Sequence, residues 1–165
     1  DSAKEAGADT KSFKIGKSEF KGCVACMACK KKADKCVIND DLTKAIDAVE
    51  KADALIIASP VYFGELNAQT KAFIDRMYGY LKADFTTNPE PSRLKPGKKL
   101  VFVLAQGDPN AALYAEVYDK YAGFLSWFGF ECQLLRAVGV MDKDDASKRK
   151  DLMKQAEAIG KALAG

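Results

Sequence analysis

Cys23, Cys26, Cys29 and Cys36 form a C-x2-C-x2-C-x6-C run, and no other residues of this chain are better placed to do chemistry. Two successive two-residue gaps let a tightly curled loop aim three sulfurs into one concavity. The fourth arrives from the far side of a short excursion. Four thiolates at tetrahedral corners are what a cubane [4Fe–4S] cluster requires, and a tandem C-x2-C-x2-C is a common way to supply three of them. Histidine is absent, which removes every mechanism built on imidazole, including Ser-His triads, Cys-His nucleophiles and His-ligated zinc or haem. What remains is cysteine, carboxylate, lysine, tyrosine or a bound cofactor.

Two alternatives for the cysteines stay open. Structural zinc usually takes two separated C-x2-C pairs and is less well served by three crowded cysteines; a redox-inert or vestigial cluster is the other. Spacing also departs from the bacterial ferredoxin run, because Val37 stands where that run has proline. Lys30, Lys31, Lys32 and Lys35 crowd the same loop, either offsetting cluster charge and raising its potential or forming an ordinary solvated surface. The fifth cysteine, Cys132, reads as a small core residue. An odd cysteine count with four close together indicates reduced ligands in an intracellular, cytoplasmic setting rather than a disulfide framework.

A second candidate site follows the apolar run Ala54–Ser59. The sequence Ser59-Pro60-Val61-Tyr62-Phe63-Gly64 puts two adjacent aromatics where solvent favours polar residues, with Pro60 stiffening the exit and Gly64 allowing a sharp turn. Such an edge suits a planar heteroaromatic ligand, with rings to stack on and backbone N–H groups to reach its polar rim; capping the core is the alternative role for Tyr62 and Phe63. The run Leu100–Ala105 ends in Gln106-Gly107-Asp108-Pro109, where Gln106 offers a donor and an acceptor and Gly107 permits close approach. The same stretch could be a plain strand-to-helix turn with Asp108 as N-cap.

The elements that must hold these residues alternate. A helix tail over Asp1–Gly7, a strand over Thr10–Ile15 and the cysteine loop 22–39 come first. Asp41 then caps a helix running to Lys51. Strands are predicted at Ala54–Ser59, Leu100–Ala105 and Cys132–Val140, and helices at Asn67–Leu81, Ala111–Phe128 and Ser147–Ala164. Lys82–Gly97, with three prolines, reads as an irregular excursion. Strands apolar throughout, interleaved with helices, predict a doubly wound parallel sheet in a three-layer α/β/α sandwich, with ligands at the strand carboxyl ends. The 165 residues form one domain's worth of chain. Their 26 basic and 23 acidic residues are interspersed, and only Arg76, Arg93, Arg136 and Arg149 are arginine, which excludes a nucleic-acid surface. Apolar runs are too short to span a membrane.

The blocks Gly22–Asp41 and Ala52–Arg76 resemble the iron–sulfur flavoprotein branch of the NADPH-dependent FMN reductase-like family, which has a flavodoxin-like fold. That family carries a GC-x2-C-x2-C…CV-x2-DD block and then AD…SPVY followed by K-x-F-I-D-R, and this chain matches both. The resemblance implies FMN against Ser59, Pro60, Val61, Tyr62, Phe63, Gly64, Gln106 and Gly107. It also implies a [4Fe–4S] cluster on Cys23, Cys26, Cys29 and Cys36 near it, and a homodimer or homotetramer burying the sites. The implied activity passes electrons between NAD(P)H or a ferredoxin-like donor and an acceptor. The alternatives are a non-catalytic flavodoxin-like electron carrier and an FMN or quinone reductase without a cluster. Asp40 and Asp41 match the family's acidic pair, with Asp41 expected to cap a helix, and Asp75–Arg76 are expected to form a structural pair. One departure stands out: the family opens with a central strand and a phosphate-cradling loop at a helix N-terminus, and this chain has neither, so about 25 further residues are expected ahead of Asp1.

Overall fold

The computed structural model describes residues 1–165. Its sheet has three parallel strands, β1 (Ala54–Tyr62), β3 (Lys98–Ala105) and β4 (Phe130–Ala137), and a two-residue strand β2 (Glu65–Leu66) that turns back antiparallel on β1, giving the order β2-β1-β3-β4. The register aligns Ile57 with Phe102 and Phe102 with Leu134. The predicted runs Ala54–Ser59 and Leu100–Ala105 are thus the sheet's spine, each extended at one end, while the third strand begins and ends earlier than the expected Cys132–Val140. The open, mostly parallel α/β fold matches expectation. The helices are α1 (Ser2–Glu5), α2 (Ala28–Lys31), α3 (Thr43–Lys51), α4 (Ala68–Met77), α5 (Ala115–Ser126), α6 (Asp145–Lys148) and α7 (Lys150–Ala164).

Alternation along the strands divides the helices between the two faces. Ile57, Leu100, Phe102 and Leu104 pack with Leu42, Ile46 and Val49 of the α3 region, Phe73 and Met77 of α4 and Val117, Tyr121 and Leu125 of α5 in the main core. Leu135 and Ala137 face the other way, onto Leu152 of α7. On that second face the β1 side is open, and Ile56 is half exposed. No helix is long and apolar enough to cross a membrane.

Several sequence expectations need correction. Thr10–Lys14 is exposed, irregular chain leading into one 3-10 turn at Ile15–Lys17, where Ile15 packs half-buried against the core, because no strand lies beside it to complete its hydrogen bonds. Asp41 does not cap α3. Its carboxylate accepts the Glu19 N–H at 2.9 Å, while Asp40 accepts the Leu42 N–H and the Thr43 hydroxyl oxygen accepts the Asp40 N–H. Asp108 caps nothing in α5 either, which begins only after Tyr114; its carboxylate accepts the Asn110 N–H instead. Strand β1 runs through Tyr62, so Pro60–Tyr62 belong to the strand rather than to the loop beyond it. The C-terminal helix is broken at Arg149 into α6 and α7. The excursion 82–97 is an anchored connection. Lys82 N–H donates to Pro91 O and Arg93 N–H to Tyr80 O, and Leu94 is buried in the core.

Candidate cofactor sites

The cysteine loop is clamped onto the C-terminal end of α4 and the turn that follows it. The Lys30 ammonium is partly buried. It donates to the carbonyls of Tyr78 and Leu81 and sits 3.9 Å from the Tyr78 ring centre, and burial pushes its pKa down, with Cys29 pulling it back up. Arg93 reaches from the excursion to Asp34 at 3.1 Å. Gly79 lies so close that a Cβ there would stand 2.8 Å from the Cys36 backbone nitrogen. Within the loop, Ala25 and Met27 take left-handed φ values of 51° and 57°. Two strained non-glycine residues so close together curl the chain and persist only where the surroundings fix them.

This curl puts Cys23, Cys26, Cys29 and Cys36 around one concavity of about 240 Å³, which Arg76, Tyr78 and Gly79 close on the inner side. All five cysteines are free thiols. Burial raises the Cys29 thiol pKa, Lys30 lowers it, and Cys36, Cys26 and Cys23 raise it further, which reflects how near the four stand to one another. No three Cys, Asp or Glu side chains converge on one point as ligands of a single metal ion would. A lone zinc needs every sulfur about 2.3 Å away, and a cubane needs one thiolate on each of its four irons. The four cysteines line the same concavity.

Sequence reasoning missed the role of Arg76. The expected pairing with Asp75 does not occur: Asp75 takes Lys71 at 2.6 Å one helical turn away, and Arg76, only 1% exposed, turns inward. Its guanidinium donates to Asp40 Oδ1 at 2.6 Å and Ile38 O at 2.8 Å, pinning both ends of the segment that follows Cys36. Burial alone would lower the Arg76 pKa; the bond to Asp40 and the nearness of Cys36 reverse this and raise it. Burial likewise works to raise Asp40, but Arg76 and the Lys21 N–H hold its carboxyl below the usual range. The Arg76 Nε is a buried donor with no partner, and Arg76 is one of the residues that line the concavity. The residues present therefore fit an anionic, sulfur-ligated group. The lysines fit one less well than expected, since Lys35 pairs with Asp47 at the surface and Lys30 faces carbonyls.

At the other end of α4 lies the strand-end site. Phe63 (φ 50°) and Gly64 (φ 74°) form the tight turn between β1 and β2, a conformation that glycine adopts freely and phenylalanine does not. Phe63 is fully exposed and Tyr62 is 62% exposed, so neither caps the core. Ser59 is buried: its hydroxyl accepts the Asn67 N–H and donates to Pro60 O, and Asn67 in turn caps α4 through the Thr70 N–H. Gln106 is also buried, and the expectation of a free donor and acceptor there is corrected. Its amide nitrogen serves Asp108 O and Asn110 O, and its oxygen accepts from Arg136, which also bonds Tyr114 O. Gln106 and Arg136 thus fix the loop on which Gly107 sits, beside the exposed side chain of Met141. The ten residues of α4, about 15 Å of helix, run between the two sites.

The sequence profile described as NADPH-dependent FMN reductase matches residues 1–116. The chain belongs to that family. An iron-sulfur flavoprotein of Methanosarcina thermophila is 43% identical over 74 residues, covering 45% of this chain and 38% of that protein. An FMN-dependent NADH:quinone oxidoreductase of Chromobacterium violaceum is 31% identical over 114 residues, 65% of this chain and 56% of that protein. The chain thus spans from 38% to 56% of the length of these relatives. Among solved structures, an azoreductase from Bacillus anthracis covers 99% of this chain and 85% of its own, with a TM-score of 0.64 at 19% identity, a likeness of fold.

Proposed function

We propose that this chain is the core of an FMN-dependent oxidoreductase that carries a [4Fe–4S] cluster on Cys23, Cys26, Cys29 and Cys36 and passes electrons from NAD(P)H or a ferredoxin-like donor to an acceptor. The observation that carries this reading is the gathering of four free thiols around one concavity in a member of an FMN reductase family. The names of the relatives, iron-sulfur flavoprotein and FMN-dependent NADH:quinone oxidoreductase, support the two halves of the reading separately. When bound, flavin exchanges electrons singly or in pairs and the cluster exchanges them one at a time, so together they convert between the two.

The chain's own residues bind and orient. Tyr62 and Phe63 offer flat apolar faces at the carboxyl end of β1, while Ser59, Pro60, Val61 and Gly64 shape the strand end and turn beneath them. Gln106 and Arg136 hold the neighbouring loop, with Gly107 at its tip, in one conformation. Asp40, Arg76, Lys30 and Gly79 hold the cysteine loop. No side chain is assigned as general acid or base. A fully exposed Phe63, with Phe124 and Trp127 about half exposed, supports assembly into a homodimer or homotetramer.

The test is anaerobic turnover by the FMN-loaded chain, with NADH or NADPH as donor and a quinone as acceptor. Flavin-dependent oxidation of the nicotinamide is the expected result. Reduction by a ferredoxin-like protein with no nicotinamide turnover makes the chain an electron carrier instead and overturns the enzyme reading.

A further inference from the structure

A buried arginine that leaves one of its donors unmet is costly unless something absent from the protein's own atoms takes that donor. Arg76 is such a residue. Its terminal nitrogens are committed to Asp40, Ile38 and, more distantly, Lys21 O at 3.5 Å. Its Nε is the one buried side-chain nitrogen or oxygen in the molecule without a partner. The same residue lines the concavity that Cys23, Cys26, Cys29 and Cys36 surround, and no other arginine does so.

Resting on the iron–sulfur reading of that concavity, we infer that Arg76 is a positioning residue for the cluster: its buried guanidinium sets the cluster's reduction potential and its Nε–H donates to a cluster or cysteinyl sulfur. A reduced cluster carries one more negative charge than an oxidised one, so a fixed cation at short range in a poorly solvated wall favours the reduced form and raises the potential. Arginine suits this role because it stays charged at every working pH. The lysines that look cationic in sequence are weaker contributors. Lys30 is spent on Tyr78 and Leu81 carbonyls, and Lys35 sits at the surface on Asp47. Asp40 partly neutralises Arg76, which gives the inference a second sign: removing that carboxylate moves the potential up, where removing the guanidinium moves it down.

The test begins with the wild-type chain, labelled with 15N-arginine and reconstituted anaerobically with ferrous iron and sulfide. Pulsed EPR of the reduced protein is expected to detect an arginine 15N coupled to the cluster, and Arg76→Lys to lose it while keeping its iron. Redox titration of Arg76→Gln is expected to show at least a tenfold change in the one-electron equilibrium constant, about 59 mV, toward the oxidised form, with a smaller change in Arg76→Lys and a change of opposite sign in Asp40→Asn. A loaded wild-type protein without 15N coupling overturns this inference alone, as does a loaded Arg76→Gln protein with unchanged potential. A wild-type chain that takes up no iron and sulfide overturns the iron–sulfur reading and this inference with it. Should Arg76→Gln fail to fold, the wild-type coupling decides.

Discussion

Gly79 can carry no side chain without moving the cysteine loop, because a Cβ would stand 2.8 Å from the Cys36 backbone nitrogen. Backbone against backbone has little room to yield. Gly79→Ala is therefore expected to destabilise the chain by about 1–3 kcal/mol and to lower its iron uptake, both readable in urea titration and iron assay; an unchanged midpoint would contradict the close approach. Asp40 makes a pH prediction. Its folded pKa lies below the ordinary value because the Arg76 and backbone hydrogen bonds outweigh burial. The stability it contributes is complete above the unfolded carboxylate value of about 3.9 and is lost as pH falls through the depressed folded value. Asp40→Asn, which strands the buried guanidinium, is expected to cost about 3 kcal/mol at neutral pH, and the gap to wild type should close as pH drops below about 4. A gap constant down to acid pH would remove the ion pair from the account. Neither residue announces its role in the sequence, since Arg76 meets Asp40 across 36 positions and Gly79 meets Cys36 across a similar interval.

At the scale of elements, the turn joining β1 to β2 stores strain in Phe63, whose φ of 50° is expensive for any residue with a Cβ. Phe63→Gly is expected to stabilise the fold by about 1 kcal/mol and to weaken FMN binding. Calorimetry and flavin fluorescence check the two halves, and unchanged affinity would take Phe63 out of the flavin site. The strands themselves were legible because Ala54–Ser59 and Leu100–Ala105 are apolar throughout, the mark of strands covered on both faces. The cysteine loop was legible because cysteine spacing is local. Thr10–Ile15 was misread because a short local run records at most a preference for pairing, not the presence of a partner. Asp41 was misread because capping depends on which carboxylate the preceding loop leaves free, and here Glu19 claims it.

For the whole molecule, β1 has a free edge below its short pairing with β2. Asp53 O accepts from Lys99 N–H, and the parallel ladder's two-residue period then turns the amides of Ile57 and Ser59 toward β3 and those of Ile56 and Ala58 toward the open edge. Pro60, with no N–H to lose, falls on the open side, where proline is tolerated. Hydrogen exchange is expected to be at least about a hundredfold faster at Ile56 and Ala58 than at Ile57 and Ser59; equal protection would contradict this sheet order. The same frame places the cysteine concavity and the strand-end turn at the two ends of α4, so one rigid helix fixes the spacing between the sites. The proposed iron–sulfur function depends on those four sulfurs acting together. The most direct measurement is anaerobic iron, sulfide and flavin stoichiometry of the reconstituted chain beside four single variants, Cys23→Ser, Cys26→Ser, Cys29→Ser and Cys36→Ser. The account predicts about four irons and four sulfides per chain, with a sharp loss in every variant; iron content that is negligible in the wild type, or indifferent to all four substitutions, would contradict it.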